Sequence, residues 1–272
     1  MVLELEEGFD VAVDTIHMRI AQERRDQKAL SSELIAAGRI VIEACEFDRR
    51  LNHDAYPLAE VIEACLDSAE AVPTVEKLLA RLREARANYR LGFTEENRVL
   101  GALLAAQPIV VLNNLFARET QAGRTGLRDF FDHDNLLGSP LDRIPQDTLL
   151  AWCDEDNTVR YPLIAARMVP FSKAPNSDKP QWKPSALAFL ERAPNKIEVL
   201  KPYINHFEPM SWSGSRSATW EANVRLLDHF ENHSDIDLAA FARLRRDELR
   251  RLLDDLKRQE LDSEKRENER FE

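Results

Sequence analysis

The 272-residue chain has few glycines and cysteines and no long apolar run, and each shortage excludes a class of protein. With 8 glycines against many Leu, Ala, Glu and Arg residues, the composition is that of a helical protein rather than a sheet protein. The three cysteines, Cys45, Cys65 and Cys153, are too few and too widely spaced for a disulfide framework or a zinc cluster. Each lies in an apolar helical context, so we expect buried thiols in a reducing compartment.

The chain also lacks the signals of export and of membrane insertion. Gln107 and Pro108 interrupt the longest apolar stretch, which is therefore too short to span a bilayer. Residues 1–7 are acidic and lack the positively charged start of a signal peptide. We therefore expect a cytoplasmic protein with no membrane partner.

The net charge of −11 argues against a broad nucleic-acid-binding face, since phosphate neutralisation dominates such binding. Residues 243–272 hold ten basic and ten acidic side chains, so the acidic excess lies in the body of the chain. The basic residues there are interrupted by Asp247 and Asp254, which have the spacing of helical ion pairs with Arg251 and Arg258. A nucleic-acid partner is therefore not expected.

Three leucines in the C-terminal half are each followed ten residues later by a β-branched residue. The pairs recur at steps of 38 and 39 residues, namely Leu149 with Val159, Leu187 with Ile197, and Leu226 with Ile236. Between the two members lies a turn rich in Asp, Asn, Ser or Pro, residues that favour turns and helix N-caps. The period predicts one helical hairpin per unit, in the manner of HEAT or armadillo repeats, although a plain helical bundle is the alternative.

The predicted organisation has four parts. We assign residues 1–118 to N-terminal helix pairs, 119–147 to a loop-rich connection, 148–242 to HEAT-like repeats and 243–272 to a charged capping helix. Leu244, Leu249, Leu252, Leu253 and Leu256 form an apolar stripe in the last part. That stripe suits a capping helix fraying beyond Leu261, and a short dimeric coiled coil is the alternative.

Local patterns place the early helices. Helices are predicted over 9–22, from Ser31 or Ser32 to Ile42, over 56–66 and 72–91, and over 100–117. Pro108 is expected at the first turn of a helix containing Ile109–Leu112.

Two predicted loops contain polar clusters. The first brings Asp129, Asp132, His133 and Asp134 within six residues, but without the spacing of a calcium loop or a helical zinc site. A surface turn rich in Asp is the simpler interpretation, and we expect no metal. The second, from Pro170 to Pro184, is too polar for a core and too rich in proline for a helix, so we expect either a partner contact or disorder.

The segment 209–221 has the most unusual composition. Its residues Trp212, Ser213, Gly214, Ser215 and Arg216 are our candidate binding residues, because serines and glycine before a helix expose backbone N–H groups to an anion. The structural alternative, which we favour, is that Ser215 or Ser217 caps the helix and Gly214 makes the turn. In that case Trp212 and Trp220 would fill the groove between neighbouring repeats.

No known catalytic motif is present. The sequence lacks a phosphate-binding loop, a dinucleotide-binding fingerprint, a zinc-protease helix and a nucleophile elbow. Of the six histidines, only His229 and His233 share a helical spacing, and His233 has the neighbours of a helix-end residue. An enzyme of unrecognised type would need a pocket joining His206, Cys153 or the cluster at Asp132. We therefore expect neither catalysis nor a cofactor.

Several segments carry a resemblance to a known class. They are Leu149 to Asp156, Trp182, Phe189 to Pro194, Pro209 to Arg216 and Arg266 to Glu272, with a fainter match over 8–38. They resemble the C-terminal helical region of large bacterial signal-transducing NTPases of the STAND type and related defence proteins. The resemblance implies a non-catalytic helical-repeat module for sensing or assembly, and assigns no functional residues. The nucleotide-binding portion of those proteins has no counterpart here, so we expect a fragment, a stand-alone relative or half of a split system.

Together these patterns predict an all-α solenoid of HEAT-like helix pairs that acts as a protein-interaction module or scaffold in bacterial defence. Its expected partner is a protein or a larger multidomain assembly, and self-association stays open. Three competing hypotheses are a nucleic-acid adaptor, an enzyme of unrecognised type and a structural extension of a larger protein.

Overall fold

The computed structural model describes residues 8–47, 55–116, 139–174, 177, 179–210 and 212–271, which form an all-α protein. Their helices are α1 Gly8–Arg25, α2 Ser32–Glu43, α3 Tyr56–Cys65, α4 Val72–Ala87, α5 Phe93–Ala106, α6 Pro108–Phe116, α7 Gln146–Asp154, α8 Asn157–Ala165, α9 Pro184–Arg192, α10 Lys196–Asn205, α11 Arg216–Val224 and α12 Ile236–Phe271. Short 3-10 helices cover Ala69–Ala71, Pro140–Arg143 and Arg225–Phe230. Strands β1 Phe171–Lys173 and β2 Pro180–Trp182 complete the described elements. The prediction of an all-α fold is confirmed.

The chain divides into two compact units, residues 1–152 and 153–272. In the first unit α3 packs against α1, α2 and α5, and α4 packs against α2 and α6. The predicted apolar face of α4, made of Val75, Leu78, Leu79 and Leu82, is buried as expected. A core of this kind follows from leucines repeating every three or four residues.

Helix boundaries in the first unit follow the local capping signals. Ser31 is the N-cap of α2, where its side chain accepts a hydrogen bond from the backbone N–H of Leu34. Pro108 begins α6, as predicted, because a missing N–H costs nothing in the first turn. Four predicted boundaries are wrong. Helix α1 ends at Arg25 rather than Gln22, and α4 ends at Ala87 rather than Leu91. Helix α5 begins at Phe93 rather than Leu100, and Gln107 divides the helix predicted over 100–117 into α5 and α6.

Helices α2 and α3 approach closely at Gly38. A Cβ atom built on Gly38 would lie 2.4 Å from the sulfur of Cys65. Cys65 is fully buried at this crossing, so glycine sets the separation of the two helices.

In the second unit α10 packs against α8, α9 and α12, and α11 packs against α12. All three leucine pairs of the proposed repeat mark a helical segment, a polar turn and a new helix. The first two join α7 to α8 and α9 to α10, whereas Leu226 lies in a 3-10 helix before α12. The predicted helix breaks are thus confirmed, and the HEAT-like stacking of the pairs stays a prediction.

The segment 170–184, expected to be a loop or disordered, contains a β-hairpin. Strands β1 and β2 pair antiparallel, with Phe171 opposite Trp182 and Lys173 opposite Pro180. Trp182 is buried, and its indole N–H donates to the carbonyl of Leu226 at 2.9 Å. The hairpin was missed because a three-residue strand shows no recognisable alternation of apolar and polar residues.

Helix α12 begins earlier than the predicted capping helix and remains helical to Phe271. Its predicted leucine stripe is divided, since Leu249 and Leu253 are buried whereas Leu244 and Leu252 are more than half exposed. Eight residues separate the two exposed leucines, which places them about 80° apart around the helix. That offset does not continue a coiled-coil seam.

Candidate functional site

The predicted binding residues lie in the loop between α10 and α11, which is fixed at its base. Phe207 is fully buried there, and its ring packs near those of Phe171 and Trp182. The side-chain amide of Asn223 on α11 donates to the carbonyl of Phe207 at 2.8 Å. The first residues of the loop are therefore held by both the core and α11.

Beyond this base the loop exposes two large apolar side chains. Met210 is 81% exposed and Trp212 is 50% exposed. The guanidinium of Arg216 lies over the Trp212 ring, 4.9 Å from its centroid, and also pairs with Glu208. We name residues 208–216 the docking loop, excluding Ser211, which lies outside the described residues.

The expectation that Trp212 fills a groove between repeats is wrong. Its ring is half exposed and is covered by Arg216, because the loop leaves the core after Phe207. Trp220 lies on α11 and is partly buried, and its indole nitrogen is buried without a hydrogen-bond partner in the described structure. The two tryptophans thus have different environments.

The capping prediction for this segment is confirmed. Ser215 is the N-cap of α11, and its hydroxyl accepts from the N–H of Ala218 at 3.1 Å. Gly214 has φ 81°, a left-handed conformation that glycine adopts without steric cost. Ser213, which precedes Gly214, is exposed.

The N-terminus of α11 receives a carboxylate from α12. Glu260 Oε1 accepts from the backbone N–H of Ser217 at 3.0 Å. Its Oε2 accepts from the hydroxyls of Ser215 and Ser217 at 2.9 and 2.6 Å. Of the predicted binding residues, Ser215 therefore binds the chain's own carboxylate together with Ser217, and we name this contact the Glu260 clasp. Helix N-termini favour such anions because unpaired N–H groups and the helix dipole attract negative charge.

The clasp lowers the pKa of the Glu260 carboxyl, which gives a testable pH dependence. Hydrogen bonds from the Ser217 hydroxyl and then its backbone N–H lower the pKa of Glu260 below the ordinary 4.5. Because the unfolded chain has the higher pKa, the clasp stabilises the fold fully above pH 4.5, and this contribution is lost as pH falls through the lowered folded pKa. We expect carbon-detected NMR titration to give a Glu260 midpoint below 4.5, and Ser217→Ala to move it back upward. A midpoint unchanged by Ser217→Ala would contradict the clasp.

Sequence reasoning missed two carboxylates of this site. Glu208 pairs with Arg216, and Glu260 binds the start of α11. Glu208 lies next to the segment singled out, and an acidic residue eight positions before Arg216 was a visible but weak signal. Glu260 is 45 residues from Ser215, so only the fold brings the two together.

Cys153 and His206, which were considered for a catalytic pocket, occupy positions typical of structural residues. Cys153 is fully buried, and burial raises the pKa of its thiol to about 12. The reactive thiolate is therefore disfavoured at neutral pH. His206 is the C-cap of α10, whereas Asp129, Asp132, His133 and Asp134 lie outside the described residues.

His233, which shares a helical spacing with His229, makes its hydrogen bonds elsewhere in the chain. His233 Nε2 lies 2.7 Å from Glu191 Oε1, and its Nδ1 accepts from the backbone N–H of Asp235. His233 thus lies in the turn before α12, as its neighbours predicted. In the ranges that the structure describes, no group of three or more His, Cys, Asp or Glu side chains is arranged to hold a metal ion. No helix searched over those ranges has the length and hydropathy to cross a bilayer.

A partly open cavity of about 230 Å³ lies in the first unit between α3, α5 and the 3-10 helix Pro140–Arg143. Arg143 at its edge pairs with Glu63, and Arg98 lies 5.6 Å from the Tyr56 ring centroid. Arg143 and Arg98 thus each contact another residue of the wall, which favours a structural role for them.

Comparison of the chain with protein-family models, curated proteins and solved structures gives no match.

Proposed function

We propose that this chain is a non-catalytic protein-interaction module and that the docking loop carries a principal contact with its partner. The observation that supports this most directly is the exposure of both Met210 and Trp212, two residues apart in a loop whose base is fixed. Tryptophan, methionine and arginine are enriched in protein interfaces relative to the rest of the protein surface.

The loop is suited to rigid docking rather than to folding on binding. Phe207 and Asn223 hold its start, and Ser215 fixes its end as the cap of α11. The stacked Arg216 restricts the Trp212 ring. A surface ordered before binding loses less conformational entropy when the complex forms.

The charges of the loop favour a protein partner over nucleic acid. Arg216, the basic residue of the docking loop, is balanced by Glu208. Phosphate binding depends on cations that neutralise the backbone, whereas this loop offers a nearly neutral surface with an aromatic ring. We expect an apolar or aromatic segment of a protein to lie against Trp212 and Met210.

At a larger scale, we propose that the helix pairs stack in a HEAT-like manner and that the module senses or assembles partners in a cytoplasmic bacterial defence system. Support for the stacking comes from the helix breaks that recur with the period of 38 and 39 residues. Support for the defence role is the resemblance to helical regions of STAND-type proteins.

Site-specific photocrosslinking tests the docking loop. A photoreactive benzoylphenylalanine at position 212 is expected to capture one protein from the native cells, at both low and high salt. Tyr89 is the matched control, because it is an aromatic residue 95% exposed in the first unit. The same residue at position 89 should not capture that protein, since it lies outside the proposed surface.

Two results would overturn the proposal. Capture of nucleic acid at position 212, lost at high salt, would favour an adaptor that binds phosphate. Identical capture at positions 212 and 89 would show that the docking loop has no preference for a partner.

A further inference from the structure

The distal part of α12 makes polar contacts with α11 and buries few leucines. Leu253 is 2% exposed and is the last buried leucine, Leu256 is half-buried and Leu261 is 56% exposed. Past Leu253, the side chains of Lys257 and Glu260 make hydrogen bonds with α11. This segment therefore has little of the apolar burial that anchors the start of the helix.

The contacts of Lys257 and Glu260 with α11 lie one helical turn apart. Lys257 Nζ lies 2.8 Å from Glu221 Oε2, and Glu260 binds Ser217. Lys257 and Glu260 are three residues apart on α12, while Glu221 and Ser217 are four residues apart on α11, so each pair lies on one helix face. The order is reversed along the two helices, which therefore run antiparallel here.

Glu260 also completes the first turn of α11. The Ser215 hydroxyl satisfies the N–H of Ala218, and Glu260 satisfies the N–H of Ser217. Without Glu260 the Ser217 amide would lose its acceptor, because the first N–H groups of a helix have no partner within it. The clasp thus couples the stability of the first turn of α11 to the packing of α12 against it.

We propose that residues 254–271 form a strap that closes over the start of α11 when Glu260 is seated and unwinds from the C-terminus when it is not. Opening exposes the Ser217 amide and the Ser215 and Ser217 hydroxyls next to the docking loop. The strap is a property of the chain alone and does not depend on the proposed partner. One contact is the ion pair of Lys257 with Glu221, and the other is a set of charge-assisted hydrogen bonds from neutral groups to the Glu260 carboxylate, so loss of one charge is enough to weaken the strap.

Amide hydrogen exchange tests the strap on the full chain. In Glu260→Ala, which removes all three hydrogen bonds of the clasp, exchange should quicken at Ser217 and over 258–266 by about 10-fold or more, since losing a single charge-assisted hydrogen bond already corresponds to about that factor. Glu260→Gln, which keeps an acceptor oxygen without the charge, should give a smaller increase. Exchange in α3 reports that the first unit remains folded in each variant.

Asp255→Ala is the matched control, because it also removes one negative charge from α12. Asp255 pairs with Arg258 on its own helix rather than with α11. We expect its exchange at Ser217 and over 258–266 to match that of the unaltered chain. Equal acceleration in Asp255→Ala and Glu260→Ala, or no acceleration in Glu260→Ala, would overturn the strap.

Discussion

Replacing Trp182 by alanine is expected to lower the free energy of unfolding by about 3–5 kcal/mol, the usual cost of removing a large buried aromatic side chain. Trp182 is 8% exposed, and its ring centroid lies 6.0, 5.9 and 5.4 Å from those of Tyr203, Phe207 and Phe230. Its loss would leave a cavity and deprive the buried Leu226 carbonyl of its indole donor. Urea titration followed by circular dichroism measures the change.

Two variants separate the causes of this loss. Trp182→Phe keeps an aromatic ring but removes the N–H donor, so we expect a loss of roughly 1–3 kcal/mol. Trp212→Ala removes the same side-chain type from the exposed docking loop, so its effect should stay within about 0.5 kcal/mol. Equal destabilisation by Trp182→Ala and Trp212→Ala would show that β2 does not anchor the core.

The boundaries of helices were predictable where the signal lies within one turn of the chain. Ser31 and Ser215 were each predicted as one of two candidate caps, and Pro108 as a helix start, because each acts on backbone groups within one turn. The left-handed turn at Gly214 is likewise determined locally, by the residue type at that position. Such features depend little on how the helices later pack.

The candidate site was only partly predictable, because its partners come from distant positions. The composition of residues 212–216 indicated an anion-binding helix start, but not that Glu260 fills it. Trp212 and Trp220 are alike in sequence context, and their exposure depends on where the loop leaves the core. No local pattern encodes that path.

The β-hairpin shows a different limit. Its strands contain three residues each, too short for periodicity, and Pro180 argued against a strand. Trp182 becomes buried because the rings of Tyr203 on α10, of Phe207 in the following loop and of Phe230 in a 3-10 helix surround it. Tertiary packing thus determines the β-hairpin, which the strand propensity of its residues does not predict.

Gly38→Ala is expected to destabilise the chain by about 1–3 kcal/mol, the usual cost of overpacking a well-packed core. The new methyl group would lie 2.4 Å from the Cys65 sulfur and 3.4 Å from Val61 Cγ1, so α2 and α3 must separate. Alanine favours a helix over glycine by about 1 kcal/mol, and this gain opposes part of the clash. Denaturant titration gives the net change.

The sulfur of Cys65 can be tested directly as the cause of the clash. In a Cys65→Ala background the same Gly38→Ala change should become nearly neutral or stabilising, because the nearest remaining atom, Cys65 Cβ, is 3.3 Å away. The double-mutant cycle should therefore show a coupling energy of about 1–3 kcal/mol between the two positions. Additive effects would mean that α2 and α3 are farther apart than this contact implies, since the helix-propensity gain is the same in both backgrounds and cancels from the coupling.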